Sequence, residues 1–397
     1  MAAADMSSVL SSPRSPKPLK PGFYRQDINR DTWIVKERYQ DMSPIGIGGF
    51  STVCCAVDSE TGEKVALKKL ARPFQSPVHA KRAYREIKLL KMLTRSNANV
   101  VELLDVFTPN DSLDSFNDIY LVTCFMQSDL DNAIKIQPIT DDQVQLLVYQ
   151  ILRGLKYIHS AGVIHRDIKP SNIGVSSDLE IKILDFGLGR KKKGEMTGLL
   201  LKHDYVNCYD VHVLVGYVTT RFWRAPEVLL QWMHYDQKVD IWSVGCILAE
   251  LLTGRVLFFG KNYRDHLNTI LQICGTPDEE MMSKIDSDDA RTYIRSLPTF
   301  AKKNFKEYFT GANPLAVDLL EKLLHLDPDR RPSAAEALEH PYFSWLHRSD
   351  DEPICDQQYT DETEDKDLDT EAWKRLIYDE LLIPYSPPFN TQPMDTS

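Results

Sequence analysis

From Tyr39 to about Leu70, short apolar stretches are broken by glycines and end in Lys64-Val65-Ala66-Leu67-Lys68, a pattern that predicts β-strands joined by tight turns. The period then changes. Ala83, Ile87, Leu90 and Leu93 fall on one face of a helix predicted over Ala80 to Leu93. Ile119-Tyr120-Leu121-Val122 predicts a buried strand that leads into a connector. Beyond it the helical period dominates: Val144, Leu147, Val148, Ile151, Leu155 and Ile158 recur about every 3.6 residues. Ile241 to Leu252 is apolar nearly all round, as a helix inside a large unit has to be. Met1 to about Gly22 is rich in Ser, Pro and Lys without apolar periodicity, which predicts a disordered tail. No internal repeat is present. The predicted class is α+β: a tail over 1–22, a small strand-rich unit over 23–126, a larger helical unit over 127–343, and an acidic C-terminal region over 344–397.

Composition narrows the function classes. The 397-residue chain is 43% hydrophobic, ample for a large core, and carries a formal net charge of −10. No basic stripe of the size nucleic-acid binding requires is present. The acidity is concentrated from Asp350 to Glu371, where Lys366 is the single base. Seven cysteines, an odd number without CxxC spacing, fit a reduced intracellular protein better than a disulfide framework or zinc site. No run of about 18 apolar residues predicts a membrane span. The N-terminus shows no apolar signal core, and Ala2 excludes myristoylation, so cytoplasm and nucleus are the expected compartments.

The strongest chemical signal is His165-Arg166-Asp167-Ile168-Lys169-Pro170-Ser171-Asn172, followed by Asp185-Phe186-Gly187. Phosphoryl transfer asks for a carboxylate that orients the attacking hydroxyl and for oxygen ligands that hold magnesium on the phosphates. Asp167 suits the first task, Asn172 and Asp185 the second, and Lys169 offsets charge near the transferring group. Loop Asp and Asn residues ordinarily form turns or caps; the joint spacing is what sets these apart. Upstream, Gly46-Ile47-Gly48-Gly49-Phe50-Ser51-Thr52-Val53 fits a loop whose backbone approaches phosphates, although glycines mark many hairpins. Ser51 stands where a third glycine is expected, which predicts a stiffer loop and weaker nucleotide affinity. Lys68 lies 15 residues beyond Val53 in a Val-Ala-Leu-Lys setting, with Glu86 on the next helix as its ion-pair partner. Glu227 of Ala225-Pro226-Glu227 is expected to pair with Arg331, and Asp240-Ile241-Trp242-Ser243-Val244-Gly245 to start a supporting helix.

With these motifs in place, Tyr39 to Phe343 resembles a eukaryotic protein kinase, and nearly the whole chain is similar to the stress-activated p38 branch of the mitogen-activated protein kinases. Gly22-Phe23-Tyr24-Arg25-Gln26, Arg72-Pro73-Phe74-Gln75-Ser76 and Val148 to His159 carry that closer resemblance, as do Leu315 to Leu338 and Glu371 to Tyr378. The resemblance implies a bilobal fold and a serine/threonine kinase using ATP and Mg2+, with Ser/Thr-Pro substrates in stress signalling. It places Ile45, Gly46, Gly48, Gly49, Val53, Lys68, Glu86, Thr123 and Met126 around ATP, Thr123 being the gatekeeper and Cys124 to Met126 the hinge. It implies a monomer activated by an upstream dual-specificity kinase. Asp350 and Asp351 would dock basic peptides of substrates, activators and phosphatases, with Arg348 replacing an acid usual in the family; the bland reading is a solvated acidic surface.

One segment departs from the family. The pattern Thr-Gly-Tyr is split: Thr197-Gly198 is followed by Leu199, and Tyr217-Val218-Thr219-Thr220-Arg221 comes only after Gly216. Removing Leu199 to Gly216 restores Thr197-Gly198-Tyr217, so the activation segment over 185–227 reads as a family loop with an insertion in its switch. The family would gather phosphothreonine on arginines matching Arg82, Arg85, Arg166 and Arg190, and phosphotyrosine on Arg221 and Arg224. Lys191-Lys192-Lys193 before the insertion is a further departure, for which the bland reading is a solvated face. Two accounts of the insertion stand: an isoform feature, or translated non-coding sequence, since every residue from Leu199 to Val215 has an AT-rich codon. Two functional readings stand with them: an active, switchable kinase, or a catalytically silent docking scaffold.

Overall fold

The computed structural model describes residues 19–48, 51–94, 98–136, 138–192, 221–230, 236–285, 287–363, 366–383, 385 and 387. The expectations for the tail before residue 19, for Gly49, and for Thr197, the insertion and Tyr217 lie outside the described residues.

The first element is a hairpin, β1 (Phe23–Ile28) with β2 (Asp31–Lys36). Its turn residues Asn29 (φ 51°) and Arg30 (φ 64°) both take positive φ, as a two-residue hairpin turn requires. The sequence reading has no strands here, because most of the hairpin is polar and its apolar side is buried only by a partner sheet. Trp33 and Val35 are fully buried, and the Trp33 ring meets Tyr120 at 5.6 Å.

That partner is a five-stranded antiparallel sheet in the order β3-β4-β5-β7-β6. Its strands are β3 (Tyr39–Ile47), β4 (Ser51–Asp58), β5 (Lys64–Leu70), β6 (Leu103–Phe107) and β7 (Tyr120–Cys124). Helix α1 (Pro77–Leu93) starts a turn earlier than apolar spacing predicts, because Ser76 caps it through His79 N and Pro77 suits its first turn.

Beyond Cys124 the chain turns helical. The short strand β8 (Ser128–Asp129) leads into α2 (Leu130–Ile136) and α3 (Asp141–Ser160), the latter opened by a Thr140/Gln143 capping box. Strands β9 (Val163–Ile164), β10 (Ile173–Val175), β11 (Ile181–Ile183) and β12 (Arg190–Lys191) follow; β11-β10-β8 form one small sheet and β12 pairs with β9. Lys191 is therefore a strand residue in register with Val163 and half-buried, while Lys192 after it is exposed. Helices α4 (Pro226–Leu229), α5 (Lys238–Thr253), α6 (Tyr263–Cys274) and α7 (Pro314–Leu323) follow, among shorter helical segments. Residues Val239 to Leu251 of α5 are all buried, as its uniform hydrophobicity requires. One apolar cluster runs from α1 through α3 and α5. The last helix, α8 (Thr370–Leu382), returns to α1, where Trp373 packs on Tyr84 at 5.3 Å.

Candidate active site

The loop between β9 and β10 carries Asp167, Lys169 and Asn172. It leaves β9 through Arg166, whose φ of 70° is strained for a side-chain-bearing residue. Asp240, buried on α5, holds this turn: its Oδ2 accepts from His165 N at 2.9 Å and its Oδ1 from Arg166 N at 2.8 Å. His159 Nε2 reaches Oδ2 at 2.9 Å. Burial works against the Asp240 charge, but the bonds from His159 and the Arg166 backbone overcome it and hold the carboxyl below the ordinary range. The His165 ring stands edge-on to Phe186 at 5.0 Å. Within the loop, Asp167 Oδ2 accepts from Lys169 Nζ at 2.7 Å and from Asn172 Nδ2 at 2.9 Å. Asn172 Nδ2 also donates to Asp167 O, so both contacts use its amide nitrogen.

A second group converges from three elements. Lys68 on β5 meets Glu86 on α1 at 2.5 Å and Asp185, just past β11, at 3.5 Å. Burial opposes the Lys68 charge, but Asp185 and Glu86 outweigh it and keep the ammonium above the usual lysine range. For Asp185 burial is again the largest effect; Lys68 and Arg82 override it, helped by Lys169, and hold the carboxyl well below the carboxylate range. Asp185 takes a positive φ of 58°, and its Oδ1 accepts from Gly187 N at 3.1 Å. A Cβ on Gly187 would lie 2.6 Å from Arg82 Nε, so glycine is what allows Arg82 to pass over this turn. Arg82 Nη2 stands 3.7 Å from Asp185, a proximity that the sequence reading, which assigns Arg82 to phosphothreonine, does not anticipate.

The glycine-rich turn joins β3 to β4. Gly46 pairs with Val53 across a register shift, and Gly48 N donates to Ser51 O at 2.8 Å. Ile45 and Ile47 are exposed on the same strand. Thr123 lies in register with Ala66 on β5, two residues before Lys68. Met126 follows β7 and rests on Gly174 of β10, where a Cβ would come within 2.7 Å of Met126 Cγ. Gly174 escapes sequence reasoning because nothing local marks a glycine required by a distant side chain. Asp240 was legible only as part of a supporting helix.

Asp350 and Asp351 sit elsewhere, beside α3. Arg153 Nε donates to Asp351 O at 2.7 Å and Arg153 Nη2 lies 3.2 Å from its carboxylate, so Asp351 already has an internal partner while its side chain stays exposed. The next acid, Glu352, is buried against Lys156, His347 and Tyr149. Among the described residues no helix is long and apolar enough to cross a membrane, and no cluster of His, Cys, Asp and Glu makes a stand-alone metal site.

The protein kinase domain family matches residues 39–343. Over 374 residues the chain is 54% identical to mitogen-activated protein kinase 14 of Xenopus laevis, which spans 94% of this chain and 98% of that protein. Over 361 residues it is 51% identical to mitogen-activated protein kinase pmk-1 of Caenorhabditis elegans, spanning 91% of this chain and 90% of that one. A small antiparallel sheet over a helical half is the corresponding fold, and the chain belongs to the protein kinases and, within them, to the p38-type mitogen-activated serine/threonine kinases.

Proposed function

We propose that this kinase transfers the γ-phosphate of ATP to serine or threonine followed by proline, as a switchable component of stress signalling. The observation that supports it best is the meeting of Lys68, Glu86 and Asp185 beside a catalytic loop already ordered around Asp167. The residues fit ATP and Mg2+: Lys68 is a half-buried, charged donor for phosphate oxygens, Asp185 is ionised, and Asn172 keeps its amide oxygen out of its bonds to Asp167. One carboxylate and one amide do not complete a magnesium shell, so this set suits a cation shared with phosphates. When bound, ATP with Mg2+ supplies the phosphoryl group and neutralises its charge. Asp167 orients the attacking hydroxyl and takes its proton, and Lys169 steadies the charge beside it. Ile45, Gly46, Gly48, Gly49 and Val53 cover the nucleotide, and Thr123 and Met126 line the adenine side.

In this reading Thr197 and Tyr217 are the phosphate acceptors of an upstream dual-specificity kinase, separated by an insertion at Leu199–Gly216. Asp350 and Asp351 receive basic docking peptides of substrates and phosphatases, and the enzyme acts as a monomer in cytoplasm and nucleus. The test is phosphate transfer from ATP to a Ser-Pro peptide after treatment with a dual-specificity kinase. Asp185→Ala is expected to abolish transfer while leaving docking-peptide binding intact; unchanged turnover would sink the assignment. The split switch favours a second reading, a docking scaffold. Running the full chain beside one lacking Leu199–Gly216 separates the two: activation of the shortened chain alone makes the full chain a scaffold, and equal activation keeps it a kinase.

A further inference from the structure

Within the described residues, Ser43-Pro44, Ser76-Pro77, Thr108-Pro109 and Thr276-Pro277 place a hydroxyl directly before proline. All but Ser76-Pro77 are held by the fold. Ser43 is in register with Cys55 inside the five-stranded sheet. Thr108 Oγ1 donates to Asn110 Oδ1 at 3.0 Å, and the half-buried Thr276 accepts from Phe300 N at 2.9 Å. Ser76 lies in the connection from β5 to α1, where Ala71, Arg72, Gln75 and Pro77 are exposed. Its backbone is extended (φ −155°, ψ 165°), the form in which a peptide segment is laid along another protein's groove.

The hydroxyl has a base beside it. Ser76 Oγ stands 2.8 Å from His79 Nδ1 and accepts from His79 N at 3.4 Å. Burial, and then Arg82, hold the imidazole below its usual value, so it is neutral near pH 7 and accepts from the seryl O–H. The charged groups around His79 are Arg82 on its own helix and, in the cleft that all of them line, Lys68 of β5 and Glu86 of α1. The first turn of α1 carries no acid, so a negative group on Ser76 meets no like charge there.

We propose that Ser76 is a phosphorylation site for a second copy of this kinase, and that His79 binds the phosphate it receives. Ser76 Oγ attacks the γ-phosphorus of ATP held by the other copy. The new O–P bond replaces the bond to the β,γ-bridging oxygen, ADP leaves, and the hydroxyl proton passes to Asp167 of that copy. Transfer within one chain is excluded because Glu86 lies ten residues on, about 15 Å along α1. The preference for Ser-Pro and the role of Asp167 rest on the function proposed above; the Ser76–His79 pair does not. A phosphate oxygen only accepts, so His79 Nδ1 has to carry a proton once Ser76 is modified. Negative charge at this end of α1 also steadies the helix that carries Glu86.

The test uses full chains. The parent, treated with a dual-specificity kinase, is the enzyme, and Asp185→Ala and, separately, Asp167→Asn are the inactive substrates, with a Ser-Pro peptide turned over in parallel. Mass spectrometry is expected to find phosphate on Ser76 of both substrates and none when they also carry Pro77→Ala. Turnover of the peptide without phosphate on Ser76, or equal labelling of the Pro77→Ala chains, overturns the proposal. An untouched peptide marks failure of the Ser-Pro reading itself, and transfer to Ser76 falls with it. The part of His79 is decided separately, in a full chain made with phosphoserine at position 76 and 13C-labelled histidine, the His79 signal being the one missing from His79→Gln. Its midpoint is expected to rise by about half a pH unit or more, and amide exchange in the first turns of α1 to slow about 2–5-fold. An unmoved midpoint overturns the binding role of His79, even where exchange slows.

Discussion

Arg331 and Glu227 meet fork to fork, Nη1 to Oε1 at 2.6 Å and Nη2 to Oε2 at 2.8 Å, with neither side chain exposed. The guanidinium also stacks on Trp242 at 4.9 Å and donates to the carbonyls of His325, Leu326 and Lys238. This ties α4 to α5. Removing one partner leaves the other charged and buried, so Arg331→Ala is expected to cost about 3–5 kcal/mol. Denaturant unfolding measures it, and a loss below about 1 kcal/mol would show that the pair is dispensable.

Asp240 ties the β9–β10 loop to α5 by the same kind of argument. Asp240→Asn keeps the shape but gives up a charged acceptor for strained backbone, a cost on the order of 3 kcal/mol. The folded carboxyl is held below its ordinary value, so its stabilisation is complete above about pH 4 and fades as pH falls through the folded value. Melting temperature against pH should therefore fall less steeply on the acid side in Asp240→Asn than in the parent. Parallel acid limbs in the two proteins would contradict this.

The C-terminal helix reaches the candidate active site through α1. Glu380 accepts from Lys91 at 2.8 Å and Lys88 at 3.1 Å, and these bonds overcome burial to hold its carboxyl below the ordinary range. Glu380→Gln is expected to cost about 1–2 kcal/mol and to lower kcat/KM, because α1 carries Glu86. Hydrogen exchange should speed up in α1 and α8 together; a change confined to α8 would separate the helix from catalysis.

Gly245 faces α7 inside the helical half. A Cβ there would come within 2.7 Å of Leu324 Cδ2 and 3.0 Å of Leu323 Cβ. Gly245→Ala gains helix propensity but overpacks this contact, and a net loss of about 1–3 kcal/mol is expected. Thermal unfolding tests it, and stabilisation would mean that α7 shifts freely.

Much of this protein was readable along the chain. The change from strand to helix period located the sheet, α1, α3 and α5, because apolar spacing reports burial directly. Motif spacing singled out Lys68, Glu86, Asp167, Asn172 and Asp185 as candidates, because phosphoryl transfer would need those residue types, and the Glu227–Arg331 pair expected as a structural contact is present. What only the tertiary structure decided were contacts between distant positions. The β1–β2 hairpin owes its burial to a sheet that forms later in the chain. Arg82 comes over Asp185 because Gly187 has no side chain there. Gly174 makes room for Met126, Asp351 finds Arg153, and Asp240 holds the strained Arg166. A sequence specifies residue types and periods, whereas the partner of a buried polar group becomes visible only when every neighbour is in place.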